Sequence, residues 1–208
     1  MNGWPIVGWA TGAVAAIVAG VLALVGTDEA GLRMAVRATA RTSVFFFTLS
    51  FAASALRRRW PNAATAWLLH NRRQIGVSFA ASHVIHLLTI LALCGWTWAG
   101  LVERTPTATL IGGGIAYVFI ALMTATSFDR TAAWLGPRRW QRLHTTGAYY
   151  NWIIFALNFF VLAFKSAVYW PFAALLGGSM AVRLLRGRSR SSQQVEMPRH
   201  KPAAHLAQ

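Results

Sequence analysis

Cysteine is nearly absent from this chain: Cys94 is the only one among 208 residues. A lone thiol rules out an intrachain disulfide and a cysteine zinc site, and the absence of a CxxCH motif rules out covalent haem attachment. Acidic residues are almost as scarce, five against twenty lysines and arginines. None of the five lies within a long apolar run, and there is no pair of interrupted runs, which weighs against an ion-coupled transporter. A glycine-rich nucleotide loop is missing too. Gly112-Gly113-Gly114 lies inside an apolar run with no strand before it and no lysine after it, and reads as close helix packing.

What the chain has in abundance is apolar sequence. Hydrophobic residues make up 56% and charged residues only 12%, too large a surplus for an ordinary soluble domain. Six runs approach the roughly 20 apolar residues that cross a hydrocarbon core. They span about residues 4–25, 38–56, 75–98, 107–127, 140–164 and 166–185. The expectation is an all-α, multi-pass integral membrane protein of the cell (inner or plasma) membrane, a six-helix bundle occupying residues 1–186. The remaining 187–208, basic and rich in serine and proline, reads as a disordered cytoplasmic tail in which His200 and His205 have no specific role. The first run lacks a basic leader and is longer than a signal-peptide core, so it reads as a retained helix. Residues 60–71 (WPNAATAWLLHN) mix apolar and small polar side chains and suggest a short interfacial helix.

The formal charge of +15 does not point to nucleic acid, because the basic residues fall between the apolar runs and in the tail. They act instead as topology signals. Placing the loops after the second and fourth runs and the tail inside collects Arg57, Arg58, Arg59, Arg72, Arg73, Arg130, Arg138, Arg139, Arg142 and six more from Arg183 onward. Only Arg33, Arg37, Arg41, Arg104 and Lys165 then lie outside. Positively charged loops stay in the cytoplasm, so both termini are expected there. Trp60, Trp67, Trp134 and Trp140 at the inner edge, with Trp96 and Trp98 at the outer, fit interfacial belts.

Ionisable or strongly polar groups within the bilayer are costly and mark candidate functional positions. His83 and His86 lie in the third run at i,i+3 spacing, close to one face. One reading is axial ligation of a non-covalent b-type haem, since a neutral imidazole binds haem iron and a helix bundle offers an apolar slot. The other is an interhelical hydrogen bond. Arg37 and Arg41, at i,i+4 near the outer end of the second run, could meet haem propionates or snorkel to headgroups beside Asp28 or Glu29. Asn158 in the fifth run is expected to have a partner, whereas Thr124, Thr126 and Ser127 are expected to bond back to their own helix. Pro171 is expected to kink the sixth helix or lie in its first turns.

The pattern becomes specific around the fourth and fifth runs. Thr126-Ser127-Phe128-Asp129-Arg130, Leu135-Gly136, Trp140-Gln141-Arg142-Leu143-His144 and Tyr149-Tyr150 resemble the "TS, LG, W-x-x-LH, Y" run of the ferric reductase-like transmembrane domain. Arg72-Arg73-Gln74-Ile75-Gly76 followed by His86 resembles the third-helix signature of that family, so the similarity covers roughly residues 37–165. The resemblance implies one or two b haems between the third and fifth helices, with electrons passed across the membrane. It places His86 at the outer-leaflet ligand position and His144 at the inner one. Leu157 and Asn158 stand where the fully equipped pattern has a further histidine, and Arg72 stands near its inner third-helix ligand.

Depth along the helices restricts the pairing. His86 is thirteen residues past Arg73 and His144 five past Arg139, an offset of about 12 Å for parallel helices; His83 reduces it to about 7 to 8 Å. Three arrangements remain open: an outer haem on His86 with a weak sixth ligand near Asn158, an inner haem on His144, or one haem shared between His144 and His83 or His86. About 22 residues follow the sixth run, too few for a flavin or nicotinamide domain. A separate flavin reductase or membrane quinol is therefore the expected donor. The competing expectation is a haem-free structural or partner-binding subunit of the same fold.

Overall fold

The computed structural model describes residues 2–185, so the tail, with His200 and His205, lies outside the described residues. Among those described, every regular element is helical: α1 Pro5–Val25, α2 Glu29–Arg59, α3 Ala63–His70, α4 Arg72–Leu93, α5 Trp98–Arg104, α6 Thr107–Ala125, α7 Asp129–Leu135, α8 Pro137–Lys165 and α9 Trp170–Leu184, with a 3-10 turn over Ala167–Tyr169. α1, α4, α6, α8 and the Ala167–Leu184 segment are long and apolar enough to cross a membrane. The chain is accordingly all-helical and of multi-pass type. Its exterior agrees: on α6, Ile111, Ile115, Val118 and Leu122 are exposed while Ala116 and Ile120 are buried. That is an outward-facing apolar stripe, which suits lipid and not water.

The second run is much longer than its apolar core suggests. α2 has 31 residues, because Asp28 caps it by accepting from the Gly31 amide at 3.1 Å and because arginine is a good helix former. Its first four turns carry Arg33, Arg37 and Arg41, so its polar end lengthens a helix whose apolar part spans residues 42–56. The α1–α2 turn is too tight for side chains: Gly26 has φ +111, and a Cβ on Gly31 would run into the Gly26 carbonyl. The third run, in contrast, stops early. α4 ends at Leu93, and Gly95 and Trp96, both at positive φ, turn the chain so that Trp98 starts α5 under a Thr97 cap. Pro171 lies in the first turn of α9, where its missing N–H costs nothing, and the short helix expected between the second and third runs is α3, closed by an Asn62–Thr65 capping box.

The long helices alternate in direction. Gly3 donates to Asn71 Oδ1 at 2.9 Å, Trp4 stacks on Phe128 at 5.4 Å, and Arg183 donates to the Phe51 carbonyl at 2.9 Å. Residue 3, the α2 and α9 C-termini and the α4 and α8 N-termini therefore share one end of the bundle. Arg57, Arg58, Arg59, Arg72, Arg73, Arg130, Arg138, Arg139, Arg142 and Arg183 all belong to that end. At the other end Glu29 pairs with Arg33 at 2.6 Å and with Arg104 at 3.3 Å, holding α5 to the start of α2.

α2 is the central helix and packs on α1, α3, α4 and α9. Its seam with α4 is built of small hydroxyl residues: Ser43 meets Ser82 at 2.9 Å, Thr42 meets Ser82 at 3.2 Å, and Thr39 meets His86 at 2.9 Å. Further along, Phe47, Phe79 and Phe155 join α2, α4 and α8 through ring centroids 5.2 to 5.9 Å apart. α8 reaches α9 through Trp152 Nε1, which donates to the Leu176 carbonyl at 3.1 Å, and it reaches α6 at Gly147.

Two predictions follow from this packing. A Cβ on Gly147 would sit 2.8 Å from Met123 Sδ and 3.1 Å from Phe119, whereas one on Gly114 meets nothing within 4 Å. Gly147→Leu should cost about 1–3 kcal/mol through overpacking, while Gly114→Ala should be neutral or stabilising, as read by thermal unfolding in detergent. The second concerns pH. The hydrogen bond from Arg33, reinforced by Arg104, holds the Glu29 carboxyl below its ordinary value of 4.5. The α5 tether is thus intact above that pH and should loosen as pH falls through the lowered value, seen as faster amide exchange in residues 98–104.

Candidate functional site

The histidines fall into two separate centres. His83 and His86 form one, on the face of α4 turned toward α2, α6 and α8, with ring centroids 5.2 Å apart. His86 Nδ1 lies 2.9 Å from Thr39 Oγ1, whose hydroxyl also has the Ala35 and Val36 carbonyls at 2.8 and 3.0 Å. With the hydroxyl proton on one of those carbonyls Thr39 accepts and the imidazole proton sits on Nδ1; with it turned to Nδ1 the tautomer reverses. Thr89, one turn on, donates to the His86 carbonyl at 2.8 Å and lies 3.4 Å from Thr39 Oγ1. His83 is enclosed by rings: Tyr117 at 4.7 Å, Phe79 at 5.5 Å and Phe155 at 5.6 Å. Its Nδ1 is buried without a protein partner, and Tyr117 Oη donates to its carbonyl at 3.2 Å.

His144 forms the other centre, at the arginine-rich end. Its ring stacks on Trp140 with centroids 4.1 Å apart, and Trp140 Nε1 donates to the Thr126 carbonyl at 2.9 Å. Thr126 Oγ1 lies 2.7 Å from the Leu122 carbonyl and 3.0 Å from His144 Nε2. With its proton on that carbonyl the threonine accepts from Nε2, and the imidazole lone pair is on Nδ1.

α6 serves as a ruler between the centres. His83 packs at Tyr117 and His144 at Thr126, nine residues and about 13 Å apart along the helix. The offset is larger than the 7 to 8 Å expected from the arginine pairs, because α8 begins three residues before Trp140 and places His144 at the very end of α6. The structure does not bring His144 together with His83 or His86, and one iron shared between them does not fit these positions.

The other expected site residues are dispersed. Arg41 turns away from α4: its guanidinium lies 4.9 Å from the Tyr169 ring and 6.0 Å from that of Phe172, with Nε buried and without a partner. The reason is helical phase, since Thr39 and Arg41 are two residues, or about 200°, apart. Arg37 is exposed on the outer turns of α2. Asn158 is exposed on α8 and donates to its own Ile154 carbonyl at 2.7 Å, so the partner expected for it lies on its own helix. Thr124, Thr126 and Ser127 do bond back to their helix, but Thr126 also serves His144, a role that back-bonding alone does not reveal.

Beside His144 a cavity of roughly 470 Å³ opens between α2, α4, α6 and α8. Its floor is Phe47, Phe51, Phe79, Ala80, Ile120 and Met123, and its mouth carries His70, Arg72, Arg73, Asp129, Thr126 and His144. His83 and His86 do not line it. Arg73 Nη1 pairs with Asp129 at 2.8 Å, and Arg72 donates to the Ser50 carbonyl and to Ser54 Oγ at 3.0 and 3.1 Å. Thr39, Tyr117, His70 and the fully buried Asn71 were not singled out in the sequence. Thr39 and Ser43, spaced i,i+4 in the second run, were the available signal for the hydroxyl seam. Among the described residues no group of three or more histidines, cysteines or acids is arranged to hold a metal ion.

The two threonine hydroxyls at the α6 end are predicted to differ in worth. Thr126→Val removes the hydroxyl partner of His144 and should cost about 0.6 to 1.7 kcal/mol of stability, while Thr124→Val should cost less, both measured by unfolding in detergent. Comparison of the chain with protein-family models, with curated proteins and with solved structures finds no match in any of the three.

Proposed function

We propose that the chain is a b-type haem-binding membrane protein that relays electrons across the bilayer, with six spans and both termini on the cytoplasmic side. The observation that carries this reading is the position of His86: its Nδ1 lies 2.9 Å from Thr39 Oγ1, an arrangement in which Nδ1–H donates and Nε2 keeps its lone pair, beside the ring-enclosed His83. A ligating histidine characteristically donates its other ring N–H in this way, which fixes tautomer and orientation. In this reading a single haem lies at this level, with His86 as ligand and His83 beside it. Bound there, the iron would supply reversible one-electron transfer. Thr39 engages His86 Nδ1, Tyr117 and Phe155 exclude water, and the unpartnered His83 Nδ1 offers a polar contact. His144 has a threonine partner of the same kind, at Nε2, but lies at the arginine-rich end of the bundle.

The sixth span in this reading is α2. Its apolar part is short, yet it is buried against four neighbours and runs antiparallel to α1 and α4. The arginine-rich end is the cytoplasmic end by the charge bias of short loops, and the membrane is the cell (inner or plasma) membrane. Donor electrons would come from a separate flavin reductase or from quinol at that face. A second reading, a haem-free structural or partner-binding subunit, is favoured by one observation: the His144–Thr126 bond is a satisfied tie between α6 and α8.

A dithionite-reduced minus oxidised absorption spectrum of the full-length protein, purified after haem-supplemented expression, separates the two. The expected result is a b-type band that is lost in His86→Ala and kept in His144→Ala, with Thr39→Val shifting the midpoint potential. Absence of the band supports the haem-free subunit. A band surviving His86→Ala but not His144→Ala moves the site to the arginine-rich end. For the topology, a C-terminal fluorescent reporter should be active and a C-terminal periplasmic phosphatase reporter silent.

A further inference from the structure

We propose that the cavity at the arginine-rich end binds one anionic glycerophospholipid from the adjoining leaflet, its phosphate at Arg72 and Arg73 and an acyl chain along Phe47, Phe79, Ile120 and Met123. The volume of roughly 470 Å³ lies within the range of ligand sites. Its lining is divided by depth in the way an amphiphile requires, with rings and aliphatic side chains at the floor and cations at the mouth. That mouth lies where α4 and α8 begin and α6 ends, at headgroup level.

Charge decides the sign of the headgroup. Arg72 sits within Coulombic reach of Arg183 and Arg58. Arg183 is partly buried over the rings of Phe51 and Tyr149 at 4.1 and 4.9 Å. Against these cations and Arg73 the cavity offers one carboxylate, Asp129, whose side chain is 95% exposed. Asp129 occupies Nη1 of Arg73, while Arg73 Nε is buried without a partner. Cations crowded at the edge of a low-dielectric region need a counter-anion, and a phosphodiester accepts from guanidinium groups through charge-assisted bonds. Basic pockets between membrane helices on the cytoplasmic side take anionic headgroups for this reason. The apolar floor argues for a lipid over a free anion, because an inorganic phosphate would leave that surface uncovered. The cavity is separate from the His83–His86 centre, so the lipid does not depend on the haem reading.

The test is native mass spectrometry of the full-length protein released from nanodiscs of equimolar phosphatidylglycerol and phosphatidylcholine, alongside thermal unfolding with added lipid or inorganic phosphate. The expected result is one retained phosphatidylglycerol and a raised midpoint with that lipid alone. Arg73→Gln should weaken retention by about tenfold, the scale of one charge-assisted pair, and Ala80→Phe should abolish it by filling the floor with every charge in place. Arg139→Gln, an exposed arginine at the same end outside the cavity, should change nothing. Variants are compared only where their midpoint in neutral lipid matches the parent, which separates loss of binding from loss of fold. Equal retention of phosphatidylcholine, full protection by inorganic phosphate alone, or undiminished retention in both Arg73→Gln and Ala80→Phe would overturn the proposal.

Discussion

The hydroxyl seam between α2 and α4 is the contact on which the rest of the bundle depends. Lipid offers no hydrophobic reward for bringing two helices together, so association rests on close packing and interhelical hydrogen bonds. Thr39, Thr42 and Ser43 of α2 supply both against Ser82, His86 and Thr89 of α4. Small side chains let the backbones approach, and each hydroxyl can return a proton to its own helix while accepting one from across the seam. With α2 fixed on α4, the adjoining Phe47 and Phe79 are set to receive Phe155, which brings in α8.

The same seam holds the deepest histidine. Thr39 meets His86 at Nδ1, so a packing interaction also bears on the tautomer. Thr126 meets His144 at Nε2 instead. Two threonines in similar back-bonded conformations thus engage different ring nitrogens. This contrast, more than the mere presence of histidine in apolar surroundings, separates the two centres chemically.

At the arginine-rich end different physics operates. The guanidiniums are held over rings and against helix carbonyls: Arg183 on Phe51 and Tyr149, Arg73 on Trp4 at 5.6 Å, and Arg72 on Ser50. Cation–π contacts and carbonyl acceptors fix positions but do not neutralise charge. The fold thus positions the guanidiniums of this end with little acidic charge to balance them.

Hydropathy was enough to make the helical, multi-pass character legible, because an apolar run long enough to cross a bilayer has few other stable fates. The loop arginines likewise sorted the chain into two ends, and all those expected inside that fall among the described residues do share one end. The ends of the runs were less legible: α2 continues through three arginines that hydropathy excludes, and α4 stops at a turn set by backbone conformation at Gly95 and Trp96. The site was only partly readable. His83, His86 and His144 stand out by type alone, but their partners depend on rotational phase and relative depth, which no single run encodes. Arg41 faces Tyr169 and not His86, and Asn158 faces outward, because neighbouring helices fix which side of each is turned inward. The sequence by itself determined that imidazoles and arginines enter an apolar bundle. That His83 and His144 differ in depth was also readable from the arginine pairs. Tertiary packing decided the size of the offset, about 13 Å and not 7 to 8 Å, and which side of each helix turns inward, since relative depth and phase are fixed only when helices are set against one another.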